Sequence, residues 1–120
     1  MELDMVFLPE KETELHMVRG TTMTLEIELT AEDGQPYVML QGDVVRFGVK
    51  QAPGVGVYRI LKETGTLTDG IGTVQITPED TEGMEPGRYA YDIGLQSGDD
   101  YFMAVGWSDF VLEPNVTEKE

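Results

Sequence analysis

The chain has 120 residues, a length that suits one domain, and its 23 acidic against 8 basic residues give a formal net charge of −15. It has no cysteine, which excludes disulfides, thiolate zinc sites and cysteine nucleophiles. With His16 as its single histidine it has no multi-histidine site, and we expect no Ser-His-Asp triad. The negative charge disfavours nucleic acid and anionic membranes as partners, and we interpret it as a surface that keeps the protein soluble.

Residues 1–12 form a predicted N-terminal arm whose short apolar run is ended by Pro9. The residues of that run are Met5, Val6, Phe7 and Leu8. No basic segment precedes the run, as it would in a secretory signal, and no run in the chain has the length of a membrane span. We therefore expect no membrane insertion, and synthesis in the cytoplasm if Met1 is the native start. An apolar run of this kind marks an interaction site, and it would lie either on its own domain or on a neighbouring subunit.

Alternating apolar and polar residues predict a series of short strands along the rest of the chain. The predicted strands cover residues 15–18, 22–30, 44–50, 57–62, 73–77, 88–95 and 101–112, with a further edge piece at 37–40. Asp33-Gly34, Asp69-Gly70 and residues 97–100 are predicted turns, and the second of these is expected to join strands 57–62 and 73–77 as a pair. Gly106 is expected to interrupt the last strand with a bulge.

A short helix is predicted before the strand at 88–95. Thr77 suits the N-cap position, Pro78 suits the first helical position, and the acidic residues that follow suit the first turn. Gly83 ends the helix within about a turn and a half.

A proline-glycine corner, Pro86-Gly87, leads into the most regular strand pattern of the chain. Tyr89 stands at the entry to this strand. At that position β-sandwiches often place a tyrosine whose ring enters the core while its hydroxyl bonds backbone a few residues upstream, here near Met84 and Glu85. The corner is therefore predicted to be structural.

The strand count and the regular turn signals predict an all-β fold, an immunoglobulin-like antiparallel β-sandwich of seven to eight strands with one short helical turn before the penultimate strand. The sandwich is expected over residues 13–113, followed by a polar C-terminal tail at residues 114–120. It is not of the antibody type. Tyr91 stands where such domains carry their second cysteine, and the third strand offers Phe47 rather than a tryptophan.

Four segments of the chain, in this order, resemble the small immunoglobulin-like modules of bacteriophage and prophage tail, baseplate and other virion structural proteins. They are Arg19 to Thr21, Val45 to Val49 with a Val-x-Phe-x-Val pattern, Ile76 to Thr81, and Pro86 to Ile93. The resemblance covers residues 13–113. It departs from the modules near the end, where three residues separate Gly106 from Phe110, and there we expect an insertion or a different register. The resemblance implies a virion or prophage structural component.

The acidic residues are interpreted as structural. Asp33, Asp69 and the Asp99-Asp100 pair lack the spacing of a calcium loop, and aspartate in a β-turn ordinarily bonds its own backbone. Glu79 and Asp80 suit the start of the helix without catalysis. We therefore expect no metal site, no cofactor and no catalytic residue.

The predicted function is that of a non-enzymatic phage or prophage structural protein, located in the virion and assembled in the bacterial host cytoplasm. Its partners would be other structural proteins of the particle or further copies of itself, contacted through the arm, a sheet edge or Trp107. Trp107 is otherwise a core or edge aromatic. The alternative is a surface or secreted adhesive module that binds carbohydrate or protein through its loops. For a carbohydrate site the aromatic candidates are Tyr37, Tyr58, Tyr101 and Trp107.

Overall fold

The structure is a computed structural model that describes residues 14–117. Within that range the chain forms seven strands and one short helix. They are β1 (Leu15–Val18), β2 (Met23–Glu28), β3 (Val44–Lys50), β4 (Ile60–Thr64), β5 (Ile71–Ile76), α1 (Pro78–Thr81), β6 (Gly87–Ser97) and β7 (Asp100–Glu113). Each predicted strand except the edge piece at 37–40 has a counterpart here. The predicted arm at residues 1–12 lies outside the described residues.

The strands form a five-stranded sheet in the order β1-β7-β6-β3-β4 and a two-stranded sheet of β2 and β5. Among these strands the pairs are antiparallel except β1 with β7, which run parallel. The sequence predicts an antiparallel sandwich, so this parallel pair is a correction. It forms because the whole domain connects β1 to β7, whereas a hairpin connection would force antiparallel pairing. The result is a β-sandwich-like all-β fold.

The core consists of side chains at alternate positions of the strands. Phe47 is fully buried, with its ring centroid 5.5 Å from that of Tyr91 and 6.5 Å from that of Phe110. Among the described residues, no buried side-chain nitrogen or oxygen lacks a hydrogen-bond partner. Apolar burial and aromatic contacts therefore stabilise a domain that has no cysteine.

β4 and β5 lie in different sheets, although the sequence predicts that they pair. β4 pairs with β3, and β5 pairs with β2. The predicted turn at Asp69-Gly70 is present, but it closes only a short bridge between Thr68 and Ile71. Leu29, just after β2, donates its backbone N–H to the Gly70 carbonyl oxygen at 2.8 Å. This bond fixes the start of β5 beside β2, so the predicted turn is confirmed and the predicted pairing is wrong.

Residues 37–40 form no strand, because they wrap around a buried carboxylate. The Tyr37 side chain lies in the core, and its hydroxyl donates a 2.6 Å hydrogen bond to Asp43. The Leu40 backbone N–H donates to the same oxygen at 2.9 Å. The Ser97 hydroxyl donates to the other carboxylate oxygen at 2.7 Å. The Leu40 N–H thus bonds a side chain, where an edge strand would have it bond a neighbouring strand.

The short helix begins where the sequence predicts, at Thr77-Pro78. Asp80 accepts hydrogen bonds from the Thr77 backbone N–H at 2.7 Å and from the Thr77 hydroxyl at 3.1 Å. The Lys62 ammonium nitrogen lies 2.9 Å from the same carboxylate. Burial alone would raise the pKa of Asp80, but the bonds from Thr77 and Lys62 outweigh it and hold that pKa below its usual value.

The predicted tyrosine corner is present, and a distant arginine reinforces it. The Tyr89 hydroxyl donates a 2.6 Å hydrogen bond to the Glu85 carbonyl oxygen. Arg19 donates to the carbonyl oxygens of Glu82 at 2.8 Å and Met84 at 3.1 Å. The carbonyl groups after α1 are therefore held by side chains from two other parts of the chain.

Candidate functional site

The outer face of the five-stranded sheet carries a cluster of large exposed apolar side chains. They are Tyr58, Leu61, Tyr101, Met103 and Trp107, and we call this surface the aromatic face. The inward positions of β3 and β6 are odd-numbered and buried, so the even-numbered positions point outward. Leu61 of β4 pairs with Gly48 of β3, and Met103 of β7 pairs with Gly94 of β6. Because Gly48 and Gly94 are outward positions, the Leu61 and Met103 side chains lie on the outer face as well.

A hollow of about 400 Å³ lies on the aromatic face, between β3, β6, β7 and the loop from β3 to β4. Its floor carries small side chains. Gly48 of β3 stands opposite Asp92 of β6, Ala90 is the next outward position of β6, and Gly106 of β7 also lines the hollow. The space above Gly106 is open, because a Cβ atom added there would meet nothing within 4 Å. Among these four floor residues, Asp92 is the one with a charged side chain.

Two tyrosines cover glycines of the aromatic face. A Cβ atom added to Gly48 would lie 2.5 Å from the Tyr58 ring, and a Cβ added to Gly94 would collide with the Tyr101 hydroxyl. The glycines therefore allow both rings to lie close to the sheet backbone. The sequence predicts Tyr58 as part of a strand at 57–62. The strand begins instead at Ile60, which takes the inward position, while Tyr58 remains 45% exposed on the outer surface.

Asp92 and Lys50 are the charged groups that line the hollow. Among residues 14–117, the Asp92 carboxylate has no hydrogen-bond partner, and partial burial raises its pKa while the charge of Lys50 partly opposes this shift. The Lys50 ammonium nitrogen lies 4.8 Å from the centre of the Tyr58 ring. The two charges cancel, so the hollow has no net charge.

Trp107 is placed at the hollow by a bulge in β7. Tyr91 pairs with Ser108 and Ile93 with Val105, so two residues of β7, Gly106 and Trp107, stand against the single residue Asp92. The predicted bulge at Gly106 is confirmed, and a second register shift follows between Ile93 and Gly94. The indole is 58% exposed, so Trp107 is not a core residue, and the edge-aromatic and contact-surface interpretations both stay open.

A polar group of side chains lies near Tyr101 on the aromatic face. Arg46 lies 2.6 Å from the Glu63 carboxylate and donates a 3.2 Å hydrogen bond to Gln96. Burial raises the pKa of the Tyr101 hydroxyl, the negative charge of Asp92 adds to the rise, and Arg46 opposes it. Paired side chains therefore hold Arg46 in place on the aromatic face, close to Tyr101.

The structure brings together three of the four aromatic residues that the sequence offers for a carbohydrate site. Tyr58, Tyr101 and Trp107 share the aromatic face, whereas Tyr37 is 6% exposed and bonds Asp43 in the core. The sequence interpretation missed Gly48, Asp92 and Lys50 as parts of one site. The available signal was glycine at outward strand positions, which allows an aromatic ring to lie close to the sheet backbone.

The remaining candidate residues lie apart from the hollow. Met5, Val6, Phe7 and Leu8 lie outside the described residues. His16 is half-exposed on β1, with its ring nitrogens 3.2 Å from Glu113 and 3.6 Å from Glu14. Asp33 accepts a hydrogen bond from the Gln35 backbone N–H at 2.9 Å, the local role predicted for a turn aspartate. Within residues 14–117 no three His, Cys, Asp or Glu side chains are grouped as metal ligands would be.

The fold and the hollow together define a small all-β protein with an exposed aromatic face on its larger sheet. None of the helices in residues 14–117 has the length and apolar character needed to cross a bilayer. Comparison with known proteins finds no family model that matches the chain and no curated protein significantly similar to it.

Proposed function

We propose that this protein is a non-enzymatic immunoglobulin-like module of a phage or prophage virion that acts through protein–protein contacts. The observation that carries the proposal is the aromatic face, because monomeric domains rarely expose clustered apolar side chains unless they bind a partner. Aromatic residues and methionine are also enriched at protein interfaces. Its partners are proposed to be other structural proteins of the particle, or further copies of the chain.

The strand order supports the immunoglobulin-like part of the proposal. In variable-type immunoglobulin domains one sheet contains strands G, F, C and C′, and strands B and E lie in the other. The orders β7-β6-β3-β4 and β2-β5 match these two groups. In this proposal Phe47 on β3 and Tyr91 on β6, 5.5 Å apart between ring centroids, correspond to the tryptophan and the second cysteine of antibody domains.

The charge distribution also favours docking through the aromatic face. The outward positions of the five-stranded sheet carry three cations and four anions, namely Arg46, Lys50, Arg88, Glu63, Asp92, Asp109 and Glu113. On the other sheet, Glu26 and Glu28 are exposed on β2. With a net charge of −15 on the chain, this nearly balanced face meets an acidic neighbour with less repulsion than the rest of the surface does on average.

The test combines gene context with binding. The products of the genes that flank this one should include tail, baseplate or capsid proteins, and at least one should form a complex with the purified chain when measured by size-exclusion chromatography with light scattering. Leu61→Glu, which puts a charge on the aromatic face, should weaken that complex at least tenfold. Gln75→Glu adds the same charge to exposed β5 and should leave it unchanged. Equal loss in both variants, or no complex with any flanking product, would overturn the proposal.

A further inference from the structure

We propose that the hollow on the aromatic face is a binding site for a neutral sugar ring, held between the Trp107 indole and the Asp92 and Lys50 side chains. This inference goes beyond the proposed function, which requires only protein contacts. It assigns a ligand class to the hollow itself and leaves the surrounding apolar rim, including Leu61, to the protein partner.

The shape of the hollow suits a small polar ligand. Its volume of about 400 Å³ lies within the range of small-molecule sites. Next to Asp92, the floor at Ala90 and Gly106 has no side chain larger than a methyl group, and a Cβ atom added to Gly106 would meet nothing within 4 Å. The Tyr58 ring covers Gly48 and forms a wall of the hollow. A sugar ring can therefore approach the sheet at Gly106 until its edge reaches the Asp92 carboxylate.

The two charged groups of the hollow, Asp92 and Lys50, make no hydrogen bond to the described residues. Asp92 accepts no hydrogen bond there, and the only charged group that acts on it is Lys50. A partly buried carboxylate without donors carries an unmet desolvation cost, and hydroxyl donors of a ligand would offset it through short charge-assisted hydrogen bonds. The Lys50 ammonium supplies donors for the ring oxygen or for further hydroxyls of the same ligand. A polyol satisfies both groups at once.

Charge selects a neutral ligand over an ionic one. The place for a cation is already taken, because the Lys50 ammonium lies 4.8 Å from the Tyr58 ring and acts on Asp92. A second cation would be repelled by Lys50. An anion would meet the Asp92 carboxylate and the net charge of −15 on the chain. An uncharged ligand with many hydroxyls meets neither penalty.

The indole of Trp107 supplies the apolar surface that a sugar also needs. It is 58% exposed at the edge of the hollow, in a bulge that turns it out of the core. The negative face of an aromatic ring attracts the weakly positive C–H groups on one side of a pyranose. The hollow thus combines an aromatic ring, a hydrogen-bond acceptor and hydrogen-bond donors. A sugar ring has the complementary groups, namely C–H groups, hydroxyl donors and oxygen acceptors.

Trp107 is the only tryptophan in the sequence, so its fluorescence reports directly on the hollow. The probes are the methyl glycosides of glucose, galactose and mannose, together with N-acetylglucosamine and N-acetylgalactosamine. At least one of them should change the fluorescence in a saturable way, with a dissociation constant of about 1 to 10 mM. The backbone amides of Gly48 and Gly106 should shift in the same titration followed by NMR.

Matched variants distinguish sugar binding in the hollow from a nonspecific effect of sugar on the exposed indole. Asp92→Asn should weaken sugar binding about tenfold, because a charge-assisted bond is replaced by a neutral one. Asp109→Asn makes the same chemical change at a carboxylate that already pairs with Arg88 at 2.7 Å, and it should have no effect. Leu61→Glu should leave the sugar titration unchanged. The protein complex therefore tests the proposed function, and the sugar titration tests the sugar site, so that one can fail without the other.

Three results would overturn the assignment. The first is the absence of a saturable response to every glycoside in the panel. The second is an equal response in the wild-type chain and Asp92→Asn. The third is stronger binding of arginine methyl ester than of any sugar, which would identify the hollow as a binding site for a basic side chain of a partner protein.

Discussion

The hydroxyl of Tyr89 donates to the carbonyl oxygen of Glu85, four residues upstream, at 2.6 Å. The ring of the same residue is buried in the core, and the Arg59 guanidinium lies 5.9 Å from its centre. Tyr89 therefore joins the corner after the short helix to the core through one side chain.

Removing the Tyr89 hydroxyl should destabilise the domain. Tyr89→Phe leaves the Glu85 carbonyl without its partner and should cost about 1 kcal/mol of unfolding free energy. Tyr89→Ala also leaves a cavity and should cost about 3 to 5 kcal/mol. Urea titrations of the three proteins measure both values. Equal midpoints and slopes for wild type and Tyr89→Phe would show that the hydrogen bond contributes nothing.

Gly70 should be far less tolerant of alanine than Gly34. Both glycines have positive φ angles, +80° and +86°, so each alanine costs about 1 kcal/mol for the left-handed backbone. At Gly70 the added Cβ would also lie 2.8 Å from the Leu29 carbonyl oxygen, whereas nothing lies within 4 Å at Gly34. Gly70→Ala should therefore cost at least about 1 kcal/mol more. Similar urea midpoints for the two variants would contradict the close approach of β5 to the Leu29 carbonyl.

Alkaline pH should destabilise the protein through Tyr37. Burial, followed by the hydrogen bond and the charge of Asp43, raises the pKa of Tyr37 from 10.0 to about 12. The folded state therefore disfavours the phenolate. The resulting stability is fully present below pH 10 and is lost as the pH rises through about 12.

Stability measured by urea titration from pH 8 to 12 checks this, and the loss should be about 2 to 3 kcal/mol. Tyr37→Phe lowers the stability at pH 8 but should flatten the alkaline decline. An equally steep decline in the variant would assign it to other groups.

The N-terminal arm remains a prediction, since its run of Met5 to Leu8 lies outside the described residues. We predict that this run mediates assembly, because it is too apolar for a solvated terminus. Deletion of residues 1–11 should lower the mass in solution while the melting temperature stays within a few degrees. A large loss of stability with an unchanged oligomeric state would instead make the run part of the domain itself.

Much of the fold is local in origin and could be predicted. β3 and β6 alternate apolar and polar residues without exception between Val45 and Lys50 and between Arg88 and Gln96, apart from glycine and alanine. Thr77-Pro78 and Pro86-Gly87 specify a helix start and a corner through the conformational preferences of single residues. These features need no information from distant parts of the chain.

The hollow could not be predicted, because it depends on cross-strand register. Gly48 and Asp92 come together only through the pairing of β3 with β6, and Gly106 joins them through a bulge in β7. The predicted strand at residues 37–40 is absent for a similar reason. The position of Tyr37 is set by Asp43 and Ser97, and the second of these lies at the far end of β6. The alternation of apolar and polar residues along the chain does not show which distant residues will become neighbours.

The parallel pairing of β1 and β7 also determines how the domain responds to force. The ladder runs from Leu15 opposite Phe110 to Val18 opposite Glu113, so the chain enters β1 and leaves β7 at opposite ends of the same pair. Tension on the two ends of the described chain therefore acts along the strands, and all hydrogen bonds between β1 and β7 are loaded at the same time. In a pair pulled apart from one end, the hydrogen bonds would break one after another. Under a pulling load the lifetime of the domain is set by its unfolding rate, and this geometry slows that rate in the direction of pull.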